Sequence, residues 1–165
     1  MILLDTCALI FDALTPERLS GAAREALDRG EAEGTLACAD ISLWEIARLV
    51  SKGRVDPGTD SASFCRLALD ARGVRVLPIT PEIAFESTRL DLPQGDPADR
   101  LIAATAVANG ADPVTIDERL HNRALGSLVP VSFASGSGRG VAPGILRRRP
   151  ARVAGRYWRD CAAAH

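Results

Sequence analysis

The chain is 165 residues long, 47% apolar and 25% charged, with a formal net charge of −1, which is the profile of one ordinary globular domain. A body of this size buries roughly two-thirds of its unfolded surface, so it needs no disulfide or metal staple to fold. The near-zero charge hides an asymmetry: residues 1–133 carry 13 basic and 20 acidic side chains, whereas residues 134–165 carry seven Arg and one Asp.

An acidic body with a basic tail is therefore expected, with the domain at 1–133 and a mobile Gly/Arg-rich extension at 134–165. No apolar run approaches the ~20 residues that cross a bilayer, so no membrane association is expected. The opening segment MILLDTCALIFDAL is broken by Asp5 and Asp12 and has no basic residues before it, which makes it a poor signal peptide. Cys7, Cys38, Cys65 and Cys161 lack C-x-x-C spacing. They read as small buried hydrophobes of a reducing cytoplasm. An acidic body does not wrap nucleic acid broadly, so any nucleic-acid chemistry must rest on a local site.

In chain order, Met1–Leu4 reads as a buried strand and residues 6–14 as a short helix. Residues 16–29 follow as a helix, with Pro16 at its start and Gly30 just past its end. Thr35–Ala39 reads as a second strand and Asp40–Lys52 as a helix closed by Gly53. Residues 59–72 form an amphipathic helix closed by Gly73. Val74–Ile79 is a third strand, and Thr80-Pro81 starts a helix to about Leu90. Asp96–Asn109 is a helix apolar over most of its surface, hence buried between other elements, and Gly110 ends it. Pro113–Ile116 is a fourth strand, Asp117 opens a helix to Leu125, and Leu128–Val131 offers a fifth strand. Strands alternating with helices of this length predict an α/β domain with a parallel sheet of four to five strands.

Sites in such sheets form beyond the carboxyl ends of the strands, where the strand order switches. Five acids fall at strand-to-helix junctions: Asp5, Glu45, Asp96, Asp99 and Asp117. Singly, each fits helix capping. Asp5 and Asp117 can cap the helices that follow them. Ser42-x-x-Glu45 has the form of a capping box, and Asp96-Pro97-Ala98-Asp99 fits an N-cap with Pro at the first helical position. Jointly they suggest more. Asp5 ends four consecutive apolar residues, a costly place for a lone carboxylate. Several carboxylates at one edge repel one another unless a cation offsets them, and all-oxygen ligands imply a hard ion, Mg²⁺ or Mn²⁺. Asp99, one turn into its helix, is the stronger ligand on this reading. Asp96 serves as a cap, an outer group or an alternative ligand.

Taken together, Leu3-Leu4-Asp5-Thr6, Ile41–Ala47 (ISLWEIA), Leu77-Pro78-Ile79-Thr80, Asp96–Ala106 (DPADRLIAATA) and Val114-Thr115-Ile116-Asp117 resemble the motifs of PIN-domain ribonucleases, in the family's order over about residues 1–132. The resemblance is closest to VapC-type toxins of bacterial toxin–antitoxin pairs. It places the family's acids on Asp5, Glu45, Asp99 and Asp117. It implies a three-layer α/β/α sandwich, endonuclease activity on RNA that depends on one or two Mg²⁺ or Mn²⁺ ions, homodimerisation, and inhibition by an antitoxin protein. Thr6, Thr115 and Arg100 are candidate substrate contacts, although each threonine fits local backbone bonding equally well and an exposed Arg is more often simply solvated. The tail has no counterpart in the family.

Other chemistries fit less well. A haloacid-dehalogenase-type phosphatase would carry an Asp where Cys7 stands, and Lys52 is the sole Lys. No G-x-S-x-G exists, and His121 and His165 are the only histidines, which disfavours a Ser or Cys hydrolase. A housekeeping RNA-processing enzyme, a DNA nuclease and a non-catalytic interaction module of the same fold stay open as alternatives. The module would usually have lost one or more of the acids.

Overall fold

The computed structural model describes residues 1–90 and 96–115. The expected helix at 117–125, the fifth strand, Asp117 and the tail lie outside the described residues.

Four strands form one sheet: β1 (Ile2–Leu4), β2 (Leu36–Ala39), β3 (Arg75–Leu77) and β4 (Asp112–Val114). All pairings are parallel, in the order β3-β2-β1-β4. Leu4 is in register with Cys38 on one side and Val114 on the other. The chain steps outward from β1 through β2 to β3 and then returns to the other side of β1. The carboxyl end of β1 is therefore the switch point of the sheet, the place where an open parallel sheet leaves a crevice.

Successive residues of a strand face opposite sides, and both sides of this sheet are buried. Ile2, Leu4, Leu36 and Cys38 join a core with α1 (Thr6–Leu14), α2 (Gly21–Ala32), α3 (Asp40–Ser51) and α4 (Ser61–Arg72). Leu3, Ala37 and Ala39 face the other way, onto Ile102 and Ala106 of α6 (Pro97–Asn109), which packs beside α5 (Pro81–Arg89). Alanines on the sheet and along α6 keep that layer thin. This is the three-layer α/β/α arrangement read from the sequence. Leu9, Phe11 and Leu49 belong to the core.

Caps set the helix limits. Ser20, Asp60 and Thr80 each accept a backbone N–H three residues on, and Gly73 and Gly110 close α4 and α6 in the left-handed region. Arg72 ties three helices together. It binds Asp12 of α1 at 2.7 Å and Asp28 and Glu31 of α2 at 2.8 Å each.

Two expectations change here. The helix expected at 16–29 is instead a single 3₁₀ turn, Pro16–Arg18, followed by α2 from Gly21. Leu19 is extended, and Ser20 caps more strongly than Pro16 can start. Gly30 does not end that helix but lies buried within it. A Cβ at Gly30 would collide with Leu36 Cδ2 and stand 3.0 Å from Ile2 Cδ1. The glycine is there because α2 lies directly on the sheet.

Gly30→Ala should therefore destabilise the chain by about 1–3 kcal/mol, the usual cost of overpacking a core. Gly21→Ala, with nothing within 4 Å of the new methyl, should not. Thermal melting of both variants checks this. Equal melting temperatures would mean that the approach of α2 to the sheet is not tight.

Candidate active site

Asp5 follows β1 directly, and its backbone N–H donates to Val114 O at 3.1 Å across the switch point. Its carboxylate is buried, 7% exposed. Oδ1 accepts the N–H of Ala8 at 2.6 Å, so Asp5 caps α1 as the local sequence suggests. That bond fixes the carboxylate at the sheet edge. Capping uses Oδ1 and is compatible with a further role for the carboxylate.

Glu45 arrives from α3. The capping box expected at Ser42-x-x-Glu45 is not formed, because α3 begins at Asp40 with Ala39 as N-cap, three residues before Ser42. Asp40 Oδ2 accepts the N–H of Ile79 at 3.0 Å, which anchors the helix start to the chain leaving β3. Ser42 thus falls inside the first turn, fully buried, and its Oγ has no hydrogen-bond partner among the described residues. Glu45 lies in the second turn and reaches across to α1, where Thr6 Oγ1 donates to its Oε2 at 2.5 Å. Thr6 itself is buried. Its hydroxyl, a candidate substrate contact in the sequence, holds Glu45.

Asp96 and Asp99 enter from the start of α6. Asp96 caps the helix, its Oδ1 accepting from Ala98 N at 3.1 Å, and its Oδ2 stands 3.8 Å from Arg48 of α3. Asp99 lies in the first turn, partly buried. The site's electrostatics show that these groups converge. Burial pushes the Glu45 carboxyl up to about 7, and the negative charges of Asp99, Asp96 and Asp5 push in the same direction. The Thr6 hydroxyl opposes them by bonding the charged form.

Thr115, at the carboxyl end of β4, is buried. Arg100 is committed elsewhere: its Nε donates to Ser87 O at 2.9 Å and its NH2 nitrogen to Leu90 O at 2.8 Å. It secures the end of α5. Arg48 was not apparent as a site residue. Its only trace in the sequence is the spacing Trp44-x-x-x-Arg48, which puts both side chains on one helix face.

The residues fit a hard cation in kind. The donors are carboxylate oxygens; burial first and the neighbouring acids second raise Glu45, and a positive ion would offset the latter. Among the described residues no three carboxylate, imidazole or thiol groups already stand in a metal-holding cluster. Asp117 lies outside those residues. Cys38 does not compete as a ligand: it is buried, and its thiol is pushed up to about 12 by burial.

The raised Glu45 carboxyl has a consequence for stability. Between its ordinary value of 4.5 and about 7, the folded chain binds a proton that the unfolded chain has released. The stability this contributes is full at low pH and is lost as pH rises through about 7. Glu45→Gln should melt like the parent at pH 4.5. Without divalent ions it should become more stable than the parent as pH rises to 8, by on the order of 3 kcal/mol. Saturating Mg²⁺ should narrow the gap. A gap independent of pH would show that the carboxyl is not held in its neutral form.

Comparison with known proteins agrees with the geometry. The family model for the PIN domain matches residues 2–125. The chain is 38% identical over 124 residues to the ribonuclease VapC22 of Mycobacterium tuberculosis, an alignment that covers 73% of this chain and 90% of that protein. Its fold resembles a chain in the crystal structure of VapBC2 from Rickettsia felis bound to a DNA fragment from their promoter. That match has a TM-score of 0.60 and 21% identity, and it covers 81% of this chain and all of the other. With three quarters of its length matched by the family model and a buried Asp5 at the switch point of a parallel sheet, the chain belongs to the PIN domain family.

Proposed function

We propose that this protein is a divalent-metal-dependent endoribonuclease and the toxin of a toxin–antitoxin pair. The observation that carries the reading is the placement of Asp5, Glu45, Asp96 and Asp99 at the carboxyl edge of the sheet, with Glu45 raised by burial and, further, by the charges of those acids. The ribonuclease name of the 38%-identical relative supports RNA as substrate. The fold shared with a VapBC2 chain is compatible with a partner antitoxin and, as in the sequence reading, a homodimer.

Asp5, Glu45 and Asp99 would hold one or two Mg²⁺ or Mn²⁺ ions, with Asp117 as a fourth acid. A bound ion of this kind lowers the pKa of a water and offsets charge on the scissile phosphate during in-line attack. The chain's own groups do the rest. The Ala8 N–H and the Thr6 hydroxyl fix the carboxylates of Asp5 and Glu45 before substrate arrives, so little reorganisation is left for the reaction. A carboxylate of the site that the ion leaves free can take a proton from the attacking water. Asp96, bonded to its own helix and facing Arg48, moderates the charge of the site from outside the ligand set.

RNA cleavage with Mg²⁺ or Mn²⁺ should be abolished by EDTA and should fall by about two orders of magnitude or more in Asp5→Asn. Regulated expression should arrest growth, and Asp5→Asn or co-expression of an antitoxin encoded beside the gene should relieve the arrest. Equal cleavage by the parent chain, the variant and the EDTA control would overturn the enzymatic reading. Cleavage without growth arrest would leave a processing nuclease.

A further inference from the structure

Trp44 immediately precedes Glu45, yet it exposes 54% of its surface. One turn on, the Arg48 guanidinium lies 5.5 Å from the centroid of the Trp44 ring. Arg48 also brings a nitrogen to 3.8 Å from Asp96 Oδ2, and Asp96 is one of the acids that act on Glu45. Indole, guanidinium and acidic site therefore follow one another without a break from α3 to the start of α6.

The surroundings separate this feature from a protein-docking face. The other large apolar side chains of α3 are buried (Ile46, Leu49) or partly buried (Ile41, Leu43, Val50). The positions four residues either side of Trp44 are Asp40 and Arg48. Docking faces are contiguous apolar patches, whereas this is one flat aromatic among charges. An acidic pocket that must receive a polyanion also gains from a cation at its rim. The Arg48 side chain is 43% exposed and can meet both needs, the phosphate and the ring.

We propose that Trp44 and Arg48 form a stacking platform for one nucleobase of single-stranded RNA, placed beside the nucleotide whose phosphodiester enters the acidic site. The proposal rests on the nuclease reading above and sharpens its substrate. An indole face accepts any base, so the platform contributes affinity and register more than sequence choice. It accepts only a base free of its own stack, which selects loops and unpaired segments over duplex. Arg48 adds an electrostatic contact to the neighbouring phosphate.

The test uses the full chain carrying Asp5→Asn to prevent cleavage and Trp158→Phe so that the remaining indole reports alone. Two probes of equal length are titrated: a mixed-sequence single-stranded RNA and an abasic strand with the same phosphates. The RNA should quench Trp44 fluorescence and the abasic strand should not. Trp44→Ala should weaken RNA binding roughly 5- to 150-fold and leave binding of the abasic strand unchanged, while Trp44→Phe retains most of the affinity. Arg48→Ala should weaken both probes and lower the salt slope by about one. If Trp44→Ala binds RNA as its parent does, the platform is refuted; a changed molar mass in light scattering would then assign Trp44 to a protein interface. If the parent binds neither probe, and the chain with Asp5 intact cleaves no RNA, the nuclease reading falls together with the platform. If that chain cleaves RNA and Trp44→Ala does so equally well, the platform alone falls.

Discussion

The structure turns on a gathering of carboxyl groups at one sheet edge, with Asp5 buried and Glu45, Asp96 and Asp99 partly buried. Asp5 stands at the end of a strand buried on both faces, and Glu45 reaches toward it from a helix whose inner side is core. Carboxylates do not gather in such a place unless something holds them there. Here the Ala8 N–H and the Thr6 hydroxyl do so. The remaining repulsion is not removed, and it shows in the raised Glu45 carboxyl. A site of this kind is poised for a cation.

The rest of the fold serves that edge. Parallel pairing of β1 between β2 and β4 makes its carboxyl end the switch point, and Asp5 is the next residue. The helices after β2 and before β4 bring in Glu45 and the Asp96–Asp99 turn. Away from the edge, close packing keeps the layers fixed: Gly30 lets α2 lie on Leu36 and Ile2, and Arg72 joins α1, α2 and α4. Arg100 fastens α5 to α6, which positions the turn that carries Asp99.

Much of this was legible in the sequence, for identifiable reasons. Short apolar runs followed by capping residues locate the strands, because the same residue that ends a strand starts the next helix. The acids were visible for that reason, as candidates for caps and for chemistry alike. Long-range partners were not legible. Ser42-x-x-Glu45 has the local form of a capping box, but the helix already runs from Asp40, anchored by the bond from Ile79, and Glu45 accepts from Thr6, 39 residues away in sequence. Gly30 looked like a helix end because its packing against Leu36 is tertiary. The bonds of Arg100 to the end of α5 and of Thr6 to Glu45 were not legible for the same reason: those partners arrive only on folding.

The central claim is that the buried acids at the end of β1 form a cation site whose occupation releases the proton held by Glu45. Calorimetric titration of the full chain with Mn²⁺, repeated in buffers of different ionisation enthalpy, measures that directly. The account predicts binding accompanied by proton release that is substantial at pH 6, small at pH 8 and absent in Glu45→Gln, with binding itself weakened in Asp5→Asn. Mn²⁺ binding unaffected by Asp5→Asn, or without proton release at pH 6, would contradict it.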